Sequence, residues 1–385
     1  MGSIDKAPLG IKRVDSLHFF VHDLERSRDH YISRLDFVES AVGSPEFQRQ
    51  HRARASLLEA GDVRFVFMVP SAADGESAGW LHNHPEGVGR VVFEVESAAR
   101  TFALLAQRGA TPISSVEHGV VDGSAVRWFD IATAFGDTLF RFVERAGDTG
   151  GLFPGMVRTG SSSQGKNRFA ISQIDHLTSN FLTLRPAILW MEEVLGLQRY
   201  WGIEFHTQDV TGATSGGSGL KSIVMWDPHS GIKFANNEPA APAFHASQIY
   251  KFCMEHRGAG LQHVALSVGD IVGAVGEMRR LGVEFMPTPS TYYEMLPARV
   301  SALGIEKLDE SVQTLRELEI LVDGAGPGSY LLQIFLREAS ALFGDVEAGP
   351  LFIELIQRKG DRGFGAGNFR ALFESIERQQ SGRAA

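Results

Sequence analysis

Ile174-Asp175-His176-Leu177 stands 160 residues after Val14-Asp15-Ser16-Leu17, and the pairing of these two tetrapeptides decides the fold. The same offset lays Leu195-Gly196-Leu197 on Leu35-Asp36-Phe37, so each copy reads as a strand, a helix and a Leu-X-apolar segment. At an offset of 173, His263-Val264-Ala265-Leu266 falls on Arg90-Val91-Val92-Phe93. The helices that follow keep that spacing: Ser97 and Asp270 are candidate N-caps, and Gly109 and Gly282 are candidate glycines just past the C-termini. Each copy closes on alternation, with Phe352-Ile353-Glu354-Leu355-Ile356-Gln357-Arg358 lying 213 residues after Leu139-Phe140-Arg141-Phe142-Val143-Glu144-Arg145. The chain is therefore read as a duplication, and the growing offset puts its insertions in the second copy.

Short alternating strands such as Val63-Arg64-Phe65-Val66-Phe67-Met68-Val69 separate single helices of about 12 residues. Modules of one strand, one helix and three strands, two to each copy, fit this order. The fold class expected is α+β, with four βαβββ modules forming two open, barrel-like halves whose concave sheets can each enclose a site. Sandwiches with filled cores would show the same periodicity. Residues 1–150 are expected to form an N-terminal domain and 171–385 a C-terminal one. The tract 151–170, rich in Gly and Ser, reads as a linker or exposed loop.

Composition narrows the function. Thirty-seven Lys and Arg against 46 Asp and Glu give a net charge of −9, which argues against a nucleic-acid or anionic-membrane surface. The single cysteine, Cys253, excludes an internal disulfide framework, a Cys-based zinc site and a Cys-ligated iron–sulfur cluster. Any bound metal must then be held by His and carboxylate. The N-terminus has no apolar signal region and no stretch is long enough to span a bilayer, so a cytoplasmic location is expected.

The matched polar positions of the two copies differ. His176, His263 and Glu354 each interrupt a strand-like apolar run, and their counterparts are Ser16, Arg90 and Arg141. Only the second copy can assemble two imidazoles and a carboxylate, the ligands expected of non-haem Fe(II) with positions left open for substrate and O₂. Zinc also takes such a set. Each residue alone could be a hydrogen-bonded core histidine or a solvated glutamate; their coincidence at equivalent module positions favours the metal. The first domain is accordingly expected to lack metal ligands. At the far end, Phe369, Leu372, Phe373 and Ile376 have helical spacing after three nearby glycines, which suggests a lid helix over the second barrel's mouth.

Three stretches resemble the 4-hydroxyphenylpyruvate dioxygenase family: Gly260-Leu261-Gln262-His263-Val264-Ala265-Leu266, Leu331-Leu332-Gln333-Ile334-Phe335 and Phe352-Ile353-Glu354-Leu355-Ile356-Gln357-Arg358-Lys359-Gly360. So does Gly363-Phe364-Gly365-Ala366-Gly367-Asn368-Phe369, and the resemblance runs from about Val14 to Gln379. It implies the vicinal-oxygen-chelate fold, one Fe(II) per chain on His176, His263 and Glu354, and no organic cofactor. It further implies that 4-hydroxyphenylpyruvate, a 2-oxo acid, and O₂ become homogentisate and CO₂, a step of tyrosine and phenylalanine catabolism. Ser222, Asn237, Gln248, Gln262 and Gln333 match the family's polar pocket residues, and Phe335, Phe352, Phe364 and Phe369 its aromatic wall. A homo-oligomer, dimer or tetramer, is expected. The related 4-hydroxymandelate synthase branch oxidises the benzylic carbon of the same substrate. Asn237 and Phe352 are what the ring-hydroxylating branch carries, whereas Ala235 departs from the proline usual there. Other classes that the residues leave open are a non-redox metal enzyme and a metal-free binding protein on this fold.

Overall fold

The computed structural model describes residues 6–160, 165–206, 219–241, 244–324, 326, 328–365 and 367–368. Its first half contains β1 (Ile11–Phe20), β2 (Val38–Gly43), β3 (Ala53–Ala60), β4 (Val63–Pro70), β5 (Gly87–Val95), β6 (Thr111–Pro112), β7 (Glu117–Val121), β8 (Ser124–Ala132), β9 (Leu139–Arg145) and β10 (Met156–Arg158). The second contains β11 (Ile171–Asn180), β12 (Gln198–His206), β13 (Gly219–Trp226), β14 (Lys233–Pro239), β15 (Gly260–Val268), β16 (Leu321–Gly324), β17 (Tyr330–Phe335) and β18 (Phe352–Lys359).

The sheets share one topology. The first runs β10-β2-β3-β4-β1-β5-β9-β8-β6 with β7 beside β8, and the second β12-β13-β14-β11-β15-β18-β17-β16. In each, the opening strands of the two modules lie antiparallel at the centre, and each is flanked by the parallel last strand of its own module. A helix follows every opening strand: Leu24–Leu35, Ala98–Gln107, Arg185–Trp190 and Ile271–Arg280. Ser97 and Asp270 cap their helices by accepting from Arg100 N and Gly273 N, and Gly109 and Gly282 take the left-handed conformation past the ends. Four βαβββ modules thus make an α+β vicinal-oxygen-chelate fold whose sheets curl as half-barrels.

Irregularities repeat as well. The central pair shifts register between Val14 and Ser16 and between His18 and Phe19 in the first half, and between Ile174 and His176 and between Thr178 and Ser179 in the second. Asp15 and Asp175 are the extra residues of equivalent β-bulges, which bend the strand and re-aim neighbouring side chains.

One expectation needs correction. The 151–170 tract is not simply an exposed linker: Met156–Arg158 pair with β2, and Leu152, Phe153 and Met156 are buried in the first half's core. Apolar residues spaced among the glycines account for this, since burying them outweighs the glycines' conformational freedom. The two halves share part of their core. Phe234 of β14 packs on Phe93 and Phe140, and Phe181 on Phe135, within one apolar cluster. Helices Ser290–Ala302 and Val312–Leu318 are the second half's insertion. No helix among the described residues is long and apolar enough to cross a membrane.

Candidate metal centre

His176 on β11, His263 on β15 and Glu354 on β18 sit on three consecutive strands of the second sheet. The β11–β15 register sets Thr178 opposite His263, and β15–β18 sets Ala265 beside Glu354, which brings the three side chains to one face. One ligand atom from each lies within 4.8 Å of the others. Glu354 Oε2 is 3.4 Å from His176 Nε2 and 3.2 Å from His263 Nε2, and all three residues are buried.

The electrostatics invite a cation. Burial would lower His176, yet the Glu354 and Asp175 carboxylates beside it raise it to about 9. Burial would raise Glu354, yet the two imidazoles bring it down to about 2. His263 is lowered, chiefly by burial. A buried carboxylate facing two imidazole nitrogens favours positive charge at its centre, and a divalent cation fits that donor set.

His176 is oriented from behind. Its Nδ1 donates to Asp175 Oδ1 at 2.9 Å, which leaves Nε2 directed at Glu354. Neighbours on a regular strand point to opposite faces, so this contact depends on the bulge at Asp175. Arg358 grips the same carboxylate as a fork, Nε to Oδ2 at 2.6 Å and Nη2 to Oδ1 at 2.7 Å. Burial would raise Asp175, but Arg358 and His176 hold it well below the usual carboxylate range. His263 Nδ1 has the Gln262 side-chain oxygen at 3.3 Å.

A cavity of about 330 Å³ adjoins the cluster, lined by His263, Asn237, Gln248, Gln262, Phe335 and Phe352 among others. Gln262 and His263 are consecutive and both reach it, because Gln262 is the extra residue of the bulge opposite Thr178 and Ser179. Phe352 lies over the His263 ring, centroids 4.9 Å apart at 25°, and Phe335 meets Phe352 edge-on at 5.9 Å. Asn237 Nδ2 donates to Asn180 Oδ1 at 3.0 Å. Gln248 opens the helix Gln248–Glu255, which Ser247 caps.

Three candidates lie elsewhere. Ser222 pairs with Asn237 across β13 and β14 but does not line the cavity. Gln333 is buried under Gly365, where a Cβ would come within 2.1 Å of its Oε1. Phe364 packs edge-on against the His176 ring at 5.1 Å, outside the cavity. Phe369 and the expected lid helix lie outside the described residues.

Sequence reading missed Asp175 and Arg358, although both stand at repeat positions with identical partners, Asp15 and Arg145. It also missed Glu319 and the stretch 286–289, which line the cavity from the second-half insertion and have no periodicity to mark them. In the first half, the equivalent place is filled by ion pairs. Arg141 forks onto Asp130 with both contacts at 2.7 Å, and Arg90 contacts both Glu76 oxygens at 2.5 and 2.6 Å.

The chain is similar to known proteins. Residues 173–295 match the Glyoxalase/Bleomycin resistance protein/Dioxygenase superfamily model. The 4-hydroxyphenylpyruvate dioxygenase of Coccidioides posadasii is 31% identical, over 95% of this chain and 92% of that one. The protein of the same name from Dictyostelium discoideum is 31% identical, over 96% of this chain and 98% of that one. Among solved structures, a triple mutant of 4-hydroxymandelate synthase from Streptomyces coelicolor superposes with a TM-score of 0.78 at 26% identity, over 96% of this chain and 99% of that one.

Proposed function

Because the chain belongs to the 4-hydroxyphenylpyruvate dioxygenase family, we propose that it converts 4-hydroxyphenylpyruvate and O₂ to homogentisate and CO₂ with Fe(II) held by His176, His263 and Glu354. The observation that carries this is a His/His/Glu cluster whose His263 lines a cavity walled by Phe335 and Phe352. Iron, when bound, supplies the open coordination positions at which a 2-oxo acid and O₂ can meet. The remaining tasks fall to the protein. Phe335 and Phe352 offer faces against which a phenyl ring packs beside His263. Asn237, Gln248 and Gln262 supply neutral donors and acceptors that orient the phenol without placing another charge near an oxidant. Burial of the ligands keeps bulk water from the reacting atoms. On this reading catalysis belongs to the second half, and the first supports it through the shared core.

One observation favours a second outcome. Ala235 stands two residues before Asn237 on β14, on the same side of the strand; it does not line the cavity itself, but an alanine there would loosen the wall beside Asn237. Benzylic oxidation to 4-hydroxymandelate is the product this would yield. The test of the metal and substrate reading is an anaerobic titration of the Fe(II)-loaded protein with 4-hydroxyphenylpyruvate. A visible charge-transfer band in the unmodified protein, lost in His263→Ala, is expected; no band in the iron-loaded protein would contradict the proposal.

A further inference from the structure

We infer that Arg358 is a latch that couples the orientation of His176 to the packing of the chain segment Asp361–Phe364, so that metal binding and the order of that segment reinforce each other. The inference rests on the metal reading of His176, His263 and Glu354.

One guanidinium serves both ends. Its Nε and Nη2 hold Asp175, which in turn takes the proton of His176 Nδ1. Its Nη1 donates to the carbonyls of Asp361 at 3.1 Å and Gly363 at 2.7 Å, and so folds the segment back over the cluster. Asp361 Oδ1 closes the turn by accepting from Gly363 N at 2.6 Å. Phe364 is thereby set on the His176 ring, with the Arg358 guanidinium 5.9 Å from its centroid.

The first half contains the same clasp without a metal ligand on it. Arg145 forks onto Asp15 at 3.0 and 2.8 Å and binds the carbonyls of Leu152 and Gly151, placing Phe153 beside the guanidinium at 4.9 Å. There the residue after the aspartate is Ser16, whose hydroxyl lies 3.3 Å from Asp15 Oδ2. The clasp is therefore a fixture of the half-barrel. Only in the second half does it bear on an imidazole that must point its other nitrogen at a cation. Removing Arg358 leaves a buried carboxylate without its counter-charge and the segment without two of its ties, so both the aim of His176 and the seat of Phe364 are lost together. Coupling of this kind is reciprocal: whatever tightens one end tightens the other.

The mirror arginine provides the control. The full chain, stripped of metal by chelation, is titrated with Co(II) and followed by visible absorption, and backbone hydrogen exchange across 361–365 is measured with and without Co(II). In the unmodified protein Co(II) should slow exchange in that segment. Arg358→Gln should weaken Co(II) by about 10- to 100-fold and abolish the metal-dependent protection. Arg358→Lys keeps the charge without the fork and should fall between the two. Arg145→Gln should lower thermal stability yet leave Co(II) affinity within about twofold, since it lies in the other half. Should Arg358→Gln fail to fold, Arg358→Lys carries the comparison. Folded Arg358 variants that bind Co(II) like the unmodified protein, or exchange in 361–365 that ignores Co(II), would overturn the inference. His263→Ala separates the two levels. If it also binds Co(II) like the unmodified protein, the metal reading itself has failed; if it loses Co(II) while the Arg358 variants keep it, only the latch has failed.

Discussion

Glu354 is a buried carboxylate whose neighbouring charges are two imidazoles, so removing any one of the three donors leaves a pair that cannot fix a cation's geometry. His263→Ala and Glu354→Ala should therefore retain no iron and show no turnover, measured by metal analysis and O₂ uptake. Arg141→Ala should behave differently: it removes the forked partner of Asp130, to which Arg90 remains paired at 3.4 Å, and so should lower thermal stability but leave iron content intact. Iron lost with Arg141 rather than His263 would place the site in the wrong half. Phe352→Ile removes the face stacked on His263 and should divert product towards benzylic oxidation, read by chromatography. The clustering of His176, His263 and Glu354 was legible because the copies diverge at matched positions within apolar runs. Asp175 and Arg358 were not picked out because they are identical in both copies, and sameness reads as framework. Their role appears only once a bulge sets Asp175 beside His176.

At the scale of elements, the repeat offsets set out the modules, caps and central strand pair, since each rests on local periodicity. Segments held by tertiary contacts were not legible: Met156–Arg158 becomes a strand because β2 offers it an edge, and 286–289 reaches the cavity through an insertion. Beside the candidate metal centre, Gly365 has φ +65° and its absent Cβ makes room for Gln333. Gly365→Ala should cost about 1–3 kcal/mol of local strain and displace the segment over His176. Reduced kcat together with weaker iron retention, as the Arg358 latch requires, is the expected result; unchanged kcat and iron content would show that this approach is not needed for turnover.

For the molecule as a whole, the halves share an apolar cluster, and histidines enclosed in the fold should limit stability in acid. Burial, aided by Arg34, lowers His30 to about 4, and burial, aided by His84, lowers His256 to about 4, against 6.5 for an ordinary histidine. Between those values the unfolded chain binds protons that the folded chain refuses, so stability present above pH 6.5 is lost as pH falls towards 4. Tm should decline across that window, and His256→Gln should make the decline shallower; a slope unaffected by the substitution would remove His256 from the account. The central claim concerns product, because the fold and the His/His/Glu cluster do not by themselves choose between ring and benzylic attack, while Asn237, Phe352 and Ala235 pull in different directions. The direct measurement is chromatography of the product formed from 4-hydroxyphenylpyruvate by the Fe(II)-loaded protein in air. Homogentisate as the main product is the result expected, and 4-hydroxymandelate as the main product would contradict it.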